Sequence, residues 1–244
     1  MENFSTPGKE YVLSLAEERL ESVNGTLLSV VRHPFRLPPY HQVVYLVPTE
    51  EKLRKYNPLH MTDLLSFYEL DTWMTAFISG LPWSIWPVQP ESVVDVLYRD
   101  PQFRELAEHA CKCITIRFFE PGRYINQQLR SVLDLVKSNH IDARSAVEIL
   151  QWVLLEVATA IHFARTGDIE TNHNVLKRHF KVNGENLIEF DEMENWAESF
   201  ETRIDELALE LKGAIACSKI DWGVDLAKIH KLGEMAMGLR TLAA

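Results

Sequence analysis

The chain has 244 residues, of which 46% are hydrophobic and 25% are charged, and its formal net charge is −10. These values exclude a disordered chain, because the apolar side chains suffice for a sizeable buried core. The negative charge argues against attraction of the whole molecule to a phosphate backbone or an anionic membrane, and it leaves room for a local basic patch. Three cysteines and the absence of an apolar leader after Met1 predict a reducing, cytoplasmic compartment.

Sheet elements are predicted near the amino end. Glu10–Glu21 has the three- and four-residue apolar spacing of a helix, and Asn24-Gly25 supplies a left-handed end for it. Short β-branched and aliphatic runs then predict three strands, and helical spacing returns after the third. The predicted strands and the helix that follows are Thr26–Val31, Gln42–Val47, Asp63–Phe67 and Glu69–Ser79. The predicted order is therefore helix, strand, strand, strand, helix.

The chain after residue 90 is predicted to be helical, apart from one strand-like run at Ile114–Phe119. The predicted helices are Pro90–Tyr98, Pro101–Lys112, Arg123–Ser138, Ala143–Arg165, Glu192–Leu211 and Asp221–Leu242. Ala143–Ala164 is the most apolar stretch, but it contains several polar side chains, which favours a buried helix over a membrane span. The fold class is therefore α+β and mostly helical, with a small sheet domain at 1–90 and a helical domain at 91–244.

The order and lengths of the first strands carry a resemblance to a known family. Thr26–Ser29 is a strand that ends in a serine, Val30–Tyr40 is a loop, and Gln42–Val47 is an apolar strand before Pro48. This layout resembles the DNA polymerase β-like nucleotidyltransferase superfamily, in particular its predicted nucleotidyltransferases with a helical carboxy-terminal domain, which are common in bacteria and phages. In that family the first strand ends in a Gly-Ser pair, and the second strand opens with two carboxylates one residue apart.

Later segments extend the resemblance over roughly residues 10 to 212. Phe67–Leu70 leads through a Tyr-x-Leu step into an amphipathic helix that runs to Gly80, as in the family. Three further segments are similar to family helices, and they are Phe118–Leu129, Ala158–Ile169 and Ala197–Leu207. The resemblance implies a nucleotidyltransferase-like sheet followed by a helical bundle.

This chain departs from the family at the positions of the residues that carry out the family's chemistry. Nucleotidyl transfer there needs three carboxylates, which hold two divalent cations against the triphosphate. At the aligned positions this chain has Pro39, His41 and Ser66, and the Gly-Ser pair reads Leu28-Ser29. The resemblance therefore implies a catalytically degenerate member without a metal site.

The resemblance also places candidate ligand contacts. Ser29, Arg32, Arg36 and His41 are predicted to bind a nucleotide, because the loop after the first strand lies at the family's nucleotide site and arginines pair with phosphates. A solvated loop is the alternative explanation for the arginines.

Trp83 and Trp86 lie among prolines between the two predicted domains. Packing within the hinge is the favoured explanation for them, and exposed tryptophans at such a hinge would be a hot spot for a protein partner. These two tryptophans are the predicted partner-binding residues.

Other sites are predicted to be structural. The side chains of one candidate soft-metal cluster would share one face of a strand. The number of residues between them is unusual for zinc ligands, so buried structural thiols are the favoured interpretation. The members of this cluster are His109, Cys111 and Cys113. Three scattered histidines are predicted to be surface or loop residues. They are His33, His41 and His60.

Charge is unevenly distributed in the second half of the chain. Between Asn186 and Leu211 there are nine acidic residues and one basic residue, and apolar residues recur every three to four positions. This pattern predicts a helix with a solvated acidic face, and an acidic binding surface is the alternative. The basic run at Lys177–Lys181 predicts a charge match within the chain, with nucleic-acid contact as the alternative.

The sequence contains no Gly-rich phosphate-binding loop, nucleophile elbow or His-Glu-x-x-His helix. It predicts a degenerate nucleotidyltransferase-like protein that binds a nucleotide, a nucleic-acid end or a protein partner, and no membrane. Two alternatives stay open. One is an active, Mg²⁺-dependent nucleotidyltransferase with carboxylates relocated to Asp63 and Glu69, and the other is a helical interaction protein.

Overall fold

The computed structural model describes residues 8–35, 40–48, 64–79, 82–113, 130, 132–138, 142–182, 185–186, 196–219 and 226–242. Helices make up most of these residues, and a mixed sheet of four strands lies in the amino-terminal part. The predicted class, α+β and mostly helical, is confirmed. Contacts within the chain divide it into two units, residues 1–115 with 223–244 and residues 116–222.

The described helices and strands are divided between the two units. The first unit holds α1 to α3, the four-stranded sheet and α7, and the second unit holds α4 to α6 and a short two-stranded ladder. The elements are α1 (Lys9–Glu21), β1 (Thr26–Arg32), β2 (His41–Leu46), β3 (Leu65–Glu69), α2 (Leu70–Ile78), a 3₁₀ helix (Pro82–Val88), β4 (Val96–Arg99), α3 (Pro101–Cys111), α4 (Ala143–Thr166), α5 (His173–His179), β5 (Lys181–Val182), β6 (Glu185–Asn186), α6 (Trp196–Cys217) and α7 (Leu226–Leu242).

The strands of the larger sheet have the order β3-β2-β1-β4. β1 pairs antiparallel with β2 and with β4, and β2 pairs parallel with β3. Valines and leucines dominate the two central strands, which suits a sheet covered on both faces. In the parallel pair Gln42 lies opposite Ser66, so their side chains share one face of the sheet.

One face of the sheet is covered by α1. Val12, Ala16 and Leu20 recur at helical spacing, and all three are buried. They pack on alternating strand residues, namely Leu27, Val30, Val43, Tyr45, Leu65 and Leu97. Asn24, in the turn after α1, adopts the predicted left-handed conformation with φ 48°.

The opposite face of the sheet is covered by α2 and the 3₁₀ helix, and α3 packs on the 3₁₀ helix. Trp73, Trp86 and Phe103 are fully buried in this layer. Trp73 packs on Phe103 with ring centroids 5.6 Å apart, and its Nε1 donates a hydrogen bond to the carbonyl oxygen of Ser84 at 2.9 Å. Large aromatic side chains therefore supply much of the buried area on this side.

The carboxy-terminal helix α7 joins the first unit by packing on α3. Arg240 Nη2 donates to Glu69 Oε1 at 2.7 Å and lies 2.5 Å from Asp71 Oδ1. Glu69 also accepts a hydrogen bond from the Asp71 N–H at 2.8 Å and so caps α2. One guanidinium thus ties α7 to the junction of β3 and α2.

In the second unit α4 packs against α6, and α5 follows α4. Both long helices bury an apolar stripe, and its members include Leu150, Leu154, Ala158, Phe200, Leu207 and Leu211. Residues Ser145–Thr166 of α4 are long and apolar enough to cross a membrane, and 67% of an 18-residue window within that stretch is buried inside the structure. Burial against α6 is the behaviour of a core helix.

The structure confirms the three predicted strands and the helices on either side of them, with boundaries shifted by one or two residues. The predicted helix over Pro90–Tyr98 is wrong, because turns at 91–94 lead into β4. Pairing with β1 and burial of Leu97 under α1 override the local helical spacing. Sequence reasoning missed α5, which Asn172 caps, and the strand-like run at Ile114–Phe119 lies outside the described residues.

The first unit extends beyond residue 90 to residue 115 and includes residues 223–244. β4 continues the sheet beyond residue 90, and α3 and α7 pack together in the same unit. Strand pairing and helix packing between segments far apart in the sequence decide this division.

Candidate functional site

Tyr40, Gln42 and Ser66 form a polar group on the face of the sheet opposite α1. Gln42 and Ser66 are register partners on the parallel strands β2 and β3. The Tyr40 hydroxyl is hydrogen-bonded to the Ser66 hydroxyl, and all three residues are buried. Gln42 lies on β2 opposite Ser66 of β3, and Tyr40 lies directly before β2 and reaches Ser66 through its hydroxyl. We call these three residues the sheet-face cluster.

Aromatic side chains border the sheet-face cluster. The His33 N–H donates to the Tyr40 carbonyl oxygen at 2.7 Å, which places His33 beside Tyr40. The Trp86 ring stands edge-on to His33 and to Phe35, with ring centroids 6.0 and 5.4 Å apart. Trp86 Nε1 and Gln42 Oε1 are buried, and neither has a hydrogen-bond partner among the described residues. This part of the sheet face therefore combines neutral polar groups with an aromatic cover.

His41 lies on the other face of the sheet. It alternates with Gln42 and shares its face with Val43 and Tyr45, which pack under α1. The residue is 2% exposed, and its Nδ1 has no hydrogen-bond partner in the part of the chain that the structure describes. The prediction of a surface or loop histidine is wrong for His41, which is buried in β2, whereas His33 does lie in the loop after β1, where its ring is buried. His60 lies outside the described residues.

Stability should depend on pH through His41. Burial lowers the pKa of His41; a hydrogen bond to the Leu64 carbonyl and the charge of Asp95 oppose this shift, and the Arg32 charge adds to it. The folded protein thus holds a neutral imidazole, while the unfolded chain takes up a proton below a pH of about 6.5. The contribution of His41 to the free energy of unfolding is fully present above that pH. It is lost as the pH falls toward the pKa that His41 has in the folded protein.

We expect His41→Gln to flatten the decline of unfolding free energy on the acid side of pH ~6.5. Urea unfolding at a series of pH values measures this slope. His230→Gln replaces an exposed histidine of α7 and should keep the wild-type slope. An unchanged slope in His41→Gln would contradict the assignment.

The predicted nucleotide-binding residues have different environments. Ser29 is buried, and its hydroxyl donates to the Tyr98 carbonyl oxygen at 3.4 Å. Arg32 is partly exposed at the end of β1, opposite His41 in the antiparallel register. Arg36 lies outside the described residues. Among the described members of this set, Arg32 alone reaches the surface.

The two predicted partner-binding tryptophans also differ. Trp86 is fully buried between the sheet and α3. Trp83 is partly exposed and stacks on Tyr68 of the edge strand β3, with centroids 4.4 Å apart and an angle of 21° between the rings. Only Trp83 therefore has a surface that a partner could contact.

The described carboxylates do not gather into a metal site. No group of three His, Cys, Asp or Glu side chains able to hold a metal ion occurs among the described residues. Glu69, one of the two candidate relocated carboxylates, is buried and held by Arg240 and by the N–H of Asp71. Asp63, the other candidate, lies outside the described residues.

The thiol and imidazole groups near the end of α3 also serve structure. A helix turns by about 100° per residue, so His109 and Cys111 do not share the face that a strand would give them. Cys111 Sγ donates to the Val88 carbonyl oxygen at 2.8 Å, and burial raises the pKa of this thiol to about 11. Cys113 is buried, as predicted for a structural thiol, whereas Cys217 is exposed.

Sequence reasoning missed Tyr40 and Gln42. The signal that identifies them is register: a residue on β2 that meets Ser66 must share its face, and Gln42 does so where His41 does not. That register depends on the pairing of β2 with β3, which the sequence pattern does not specify. Comparison with family models, curated proteins and solved structures gives no match to this chain.

Proposed function

We propose that the first unit is a nucleotidyltransferase-like sheet without transfer chemistry, and that it works as a binding module for a nucleotide or a nucleic-acid end. The sheet-face cluster carries this proposal. Carboxylates that share two cations must lie close together. In the superfamily that this chain resembles, two of them are one residue apart on one strand and the third lies on another strand. Gln42 and Ser66 are register partners on β2 and β3, Tyr40 directly precedes β2, and all three side chains are neutral, which supports the proposal of a site without transfer chemistry.

Neutral groups at these positions argue against transfer. Divalent cations bound to a triphosphate need anionic oxygen ligands, and an amide or a hydroxyl does not replace their charge. The Tyr40 and Ser66 hydroxyls are moreover hydrogen-bonded to each other. Glu69, the nearest described acid on β3, is neutralised by Arg240. These contacts support binding without turnover.

We expect Arg32 to meet an anionic ligand at the end of β1 and not at the sheet-face cluster, because its register partner His41 lies on the other face of the sheet. Arg32 is partly exposed and lies at the end of β1, where the loop toward β2 begins. A charge-assisted hydrogen bond from a guanidinium to a phosphate contributes roughly 1.5–3 kcal/mol. Loss of Arg32 should therefore weaken a phosphate ligand by about tenfold or more.

The test combines a transfer assay with a binding assay on the full chain. Labelled nucleoside triphosphates with Mg²⁺ or Mn²⁺ and candidate acceptors, protein hydroxyls included, should give no transfer. Calorimetric titration with nucleotides and short oligonucleotides should show saturable binding that Arg32→Ala weakens by about tenfold. Arg104→Ala removes an exposed arginine of α3 and should leave the affinity unchanged.

Two outcomes would overturn the proposal. Label transfer that Asp63→Asn abolishes would establish the active enzyme with relocated carboxylates. Failure of every nucleotide and oligonucleotide to bind would reject the anion-binding module. In that case, capture of a protein that Trp83→Ala abolishes would favour an interaction protein.

A further inference from the structure

The carboxy-terminal helix α7 has a sequence that weakens it as a helix. Gly233 and Gly238 lie in its interior, and glycine destabilises a helix relative to alanine because it loses more backbone freedom on folding. A Cβ atom at either position would have no neighbour within 4 Å among the described residues. Close packing therefore does not require these two glycines, and they lower the local stability of α7.

The apolar contact of α7 with the rest of the first unit is narrow. Leu232, Ala236 and Leu239 are buried and recur at spacings of four and three residues, so they form one stripe along the helix. The other described side chains of α7 are half-buried or exposed. An isolated helix of this length is marginally stable in water, so α7 depends on this stripe and on its polar contacts.

Polar contacts hold α7 near both of its ends. In the first turn, the Lys228 carbonyl oxygen accepts a hydrogen bond from His109 Nε2 of α3 at 2.9 Å. In the last turn, Arg240 forms ion pairs with Glu69 and Asp71 at the junction of β3 and α2. The hydrogen bonds of His109 and Glu69 to α7 span sequence separations of 119 and 171 residues. Docking of α7 therefore closes a long loop, which costs conformational entropy.

We propose that α7 is a releasable strap, which unfolds and leaves the first unit while the four-stranded sheet stays folded, and that the Arg240 ion pairs are its latch. Local openings of this kind occur in elements with few buried contacts and weak local structure. In the closed state α7 covers part of α3 and compensates the charge of Glu69. Release uncovers the junction of β3 and α2 and leaves Glu69 and Asp71 without their common guanidinium. The strap thus controls both the exposure and the charge at the end of β3.

Native-state hydrogen exchange of the full chain, measured by mass spectrometry at a series of low urea concentrations, tests the strap. After correction for intrinsic rates, amides of α7 should exchange about tenfold or more faster than amides of β1 and β2. Their exchange should also depend less on urea, because the opening exposes the surface of one helix only. Equal exchange and equal urea dependence for α7 and the two central strands would overturn the proposal, since α7 would then open only when the whole unit unfolds.

Substitutions test the latch and the helix separately. Arg240→Ala should speed exchange in α7 by about thirtyfold, because it removes both ion pairs. Gly238→Ala should slow exchange in α7 by about three- to fivefold, since the position is exposed and has room for the methyl group.

Gly213→Ala is the matched control for Gly238→Ala. It makes the same change in α6 of the second unit, where a Cβ atom also meets no described neighbour within 4 Å, and it should leave exchange in α7 unchanged. Exchange in α7 that does not respond to Arg240→Ala would overturn the latch. A Gly238→Ala variant whose α7 exchanges like that of the wild type or of Gly213→Ala would overturn the strap. None of these results bears on nucleotide binding by the first unit.

Discussion

Trp86→Ala is expected to lower the free energy of unfolding by about 3–5 kcal/mol. Trp86 is 0% exposed, and its ring packs edge-on against His33 and Phe35 beside the sheet-face cluster. Truncation removes the largest type of side chain from a packed layer and leaves a cavity that the sheet cannot close. Chemical denaturation followed by circular dichroism measures the loss.

Trp83→Ala is the matched control for Trp86→Ala, because it removes the same side chain from the same 3₁₀ helix. Trp83 is partly exposed and stacks on Tyr68, so its loss should cost only about 0.5–1.5 kcal/mol. Equal losses for the two variants would contradict the assignment of Trp86 to the core. A Trp86→Ala protein that keeps wild-type stability but fails to capture a partner would also contradict the assignment of Trp86 to the core.

Arg240→Ala should lower the free energy of unfolding by about 2–3 kcal/mol, somewhat less than for a fully buried ion pair. Glu69 is 9% exposed in its side chain and Arg240 19%, so little water reaches their contact. Burial alone would lower the pKa of Arg240, but hydrogen bonds to Asp71 and Glu69 raise it above its usual value. Truncation removes the guanidinium and leaves Glu69 charged in a poorly solvated place.

The double variant Arg240→Ala with Glu69→Gln tests this explanation. Removing the buried charge together with its partner should recover part of the lost stability, because no ionised carboxylate then lacks its guanidinium. Arg165→Ala serves as the control: its ion pair with Glu210 is 42% and 48% exposed, so the cost should stay below about 1 kcal/mol. If Arg165→Ala costs as much as Arg240→Ala, burial is not the cause.

The Glu69–Arg240 contact also bears on the choice between enzyme and binding module. Both oxygens of the Glu69 carboxylate already accept a hydrogen bond, Oε1 from Arg240 and Oε2 from the Asp71 N–H, so this carboxylate is charge-compensated and fixed in orientation and is poorly suited to bind two divalent cations. Relocated catalysis through Glu69 would require α7 to move away from the junction of β3 and α2. The transfer assay therefore tests a catalytic role of Glu69, and the Arg240→Ala variant separately tests its structural role.

The local sequence pattern was sufficient to predict much of the secondary structure of the first unit. The apolar spacing of α1, the turn at Asn24 and the β-branched runs of β1 and β2 each express a preference of a few neighbouring residues. For the same reason, the long apolar stripe of α4 could be predicted as a buried helix. The class α+β, mostly helical, follows from such local signals.

The candidate site depended on pairings that local pattern does not contain. Alternation predicts that His41 and Gln42 point to opposite faces, but only the partners of β2 decide which face meets Ser66. β4 is a strand because the edge of β1 receives it, despite helical spacing in its own residues. Arg240 reaches Glu69 across a sequence separation of 171 residues. Contacts of this kind are set by packing of the whole unit, so the sequence by itself determined the elements, and the tertiary structure alone decided which side chains meet.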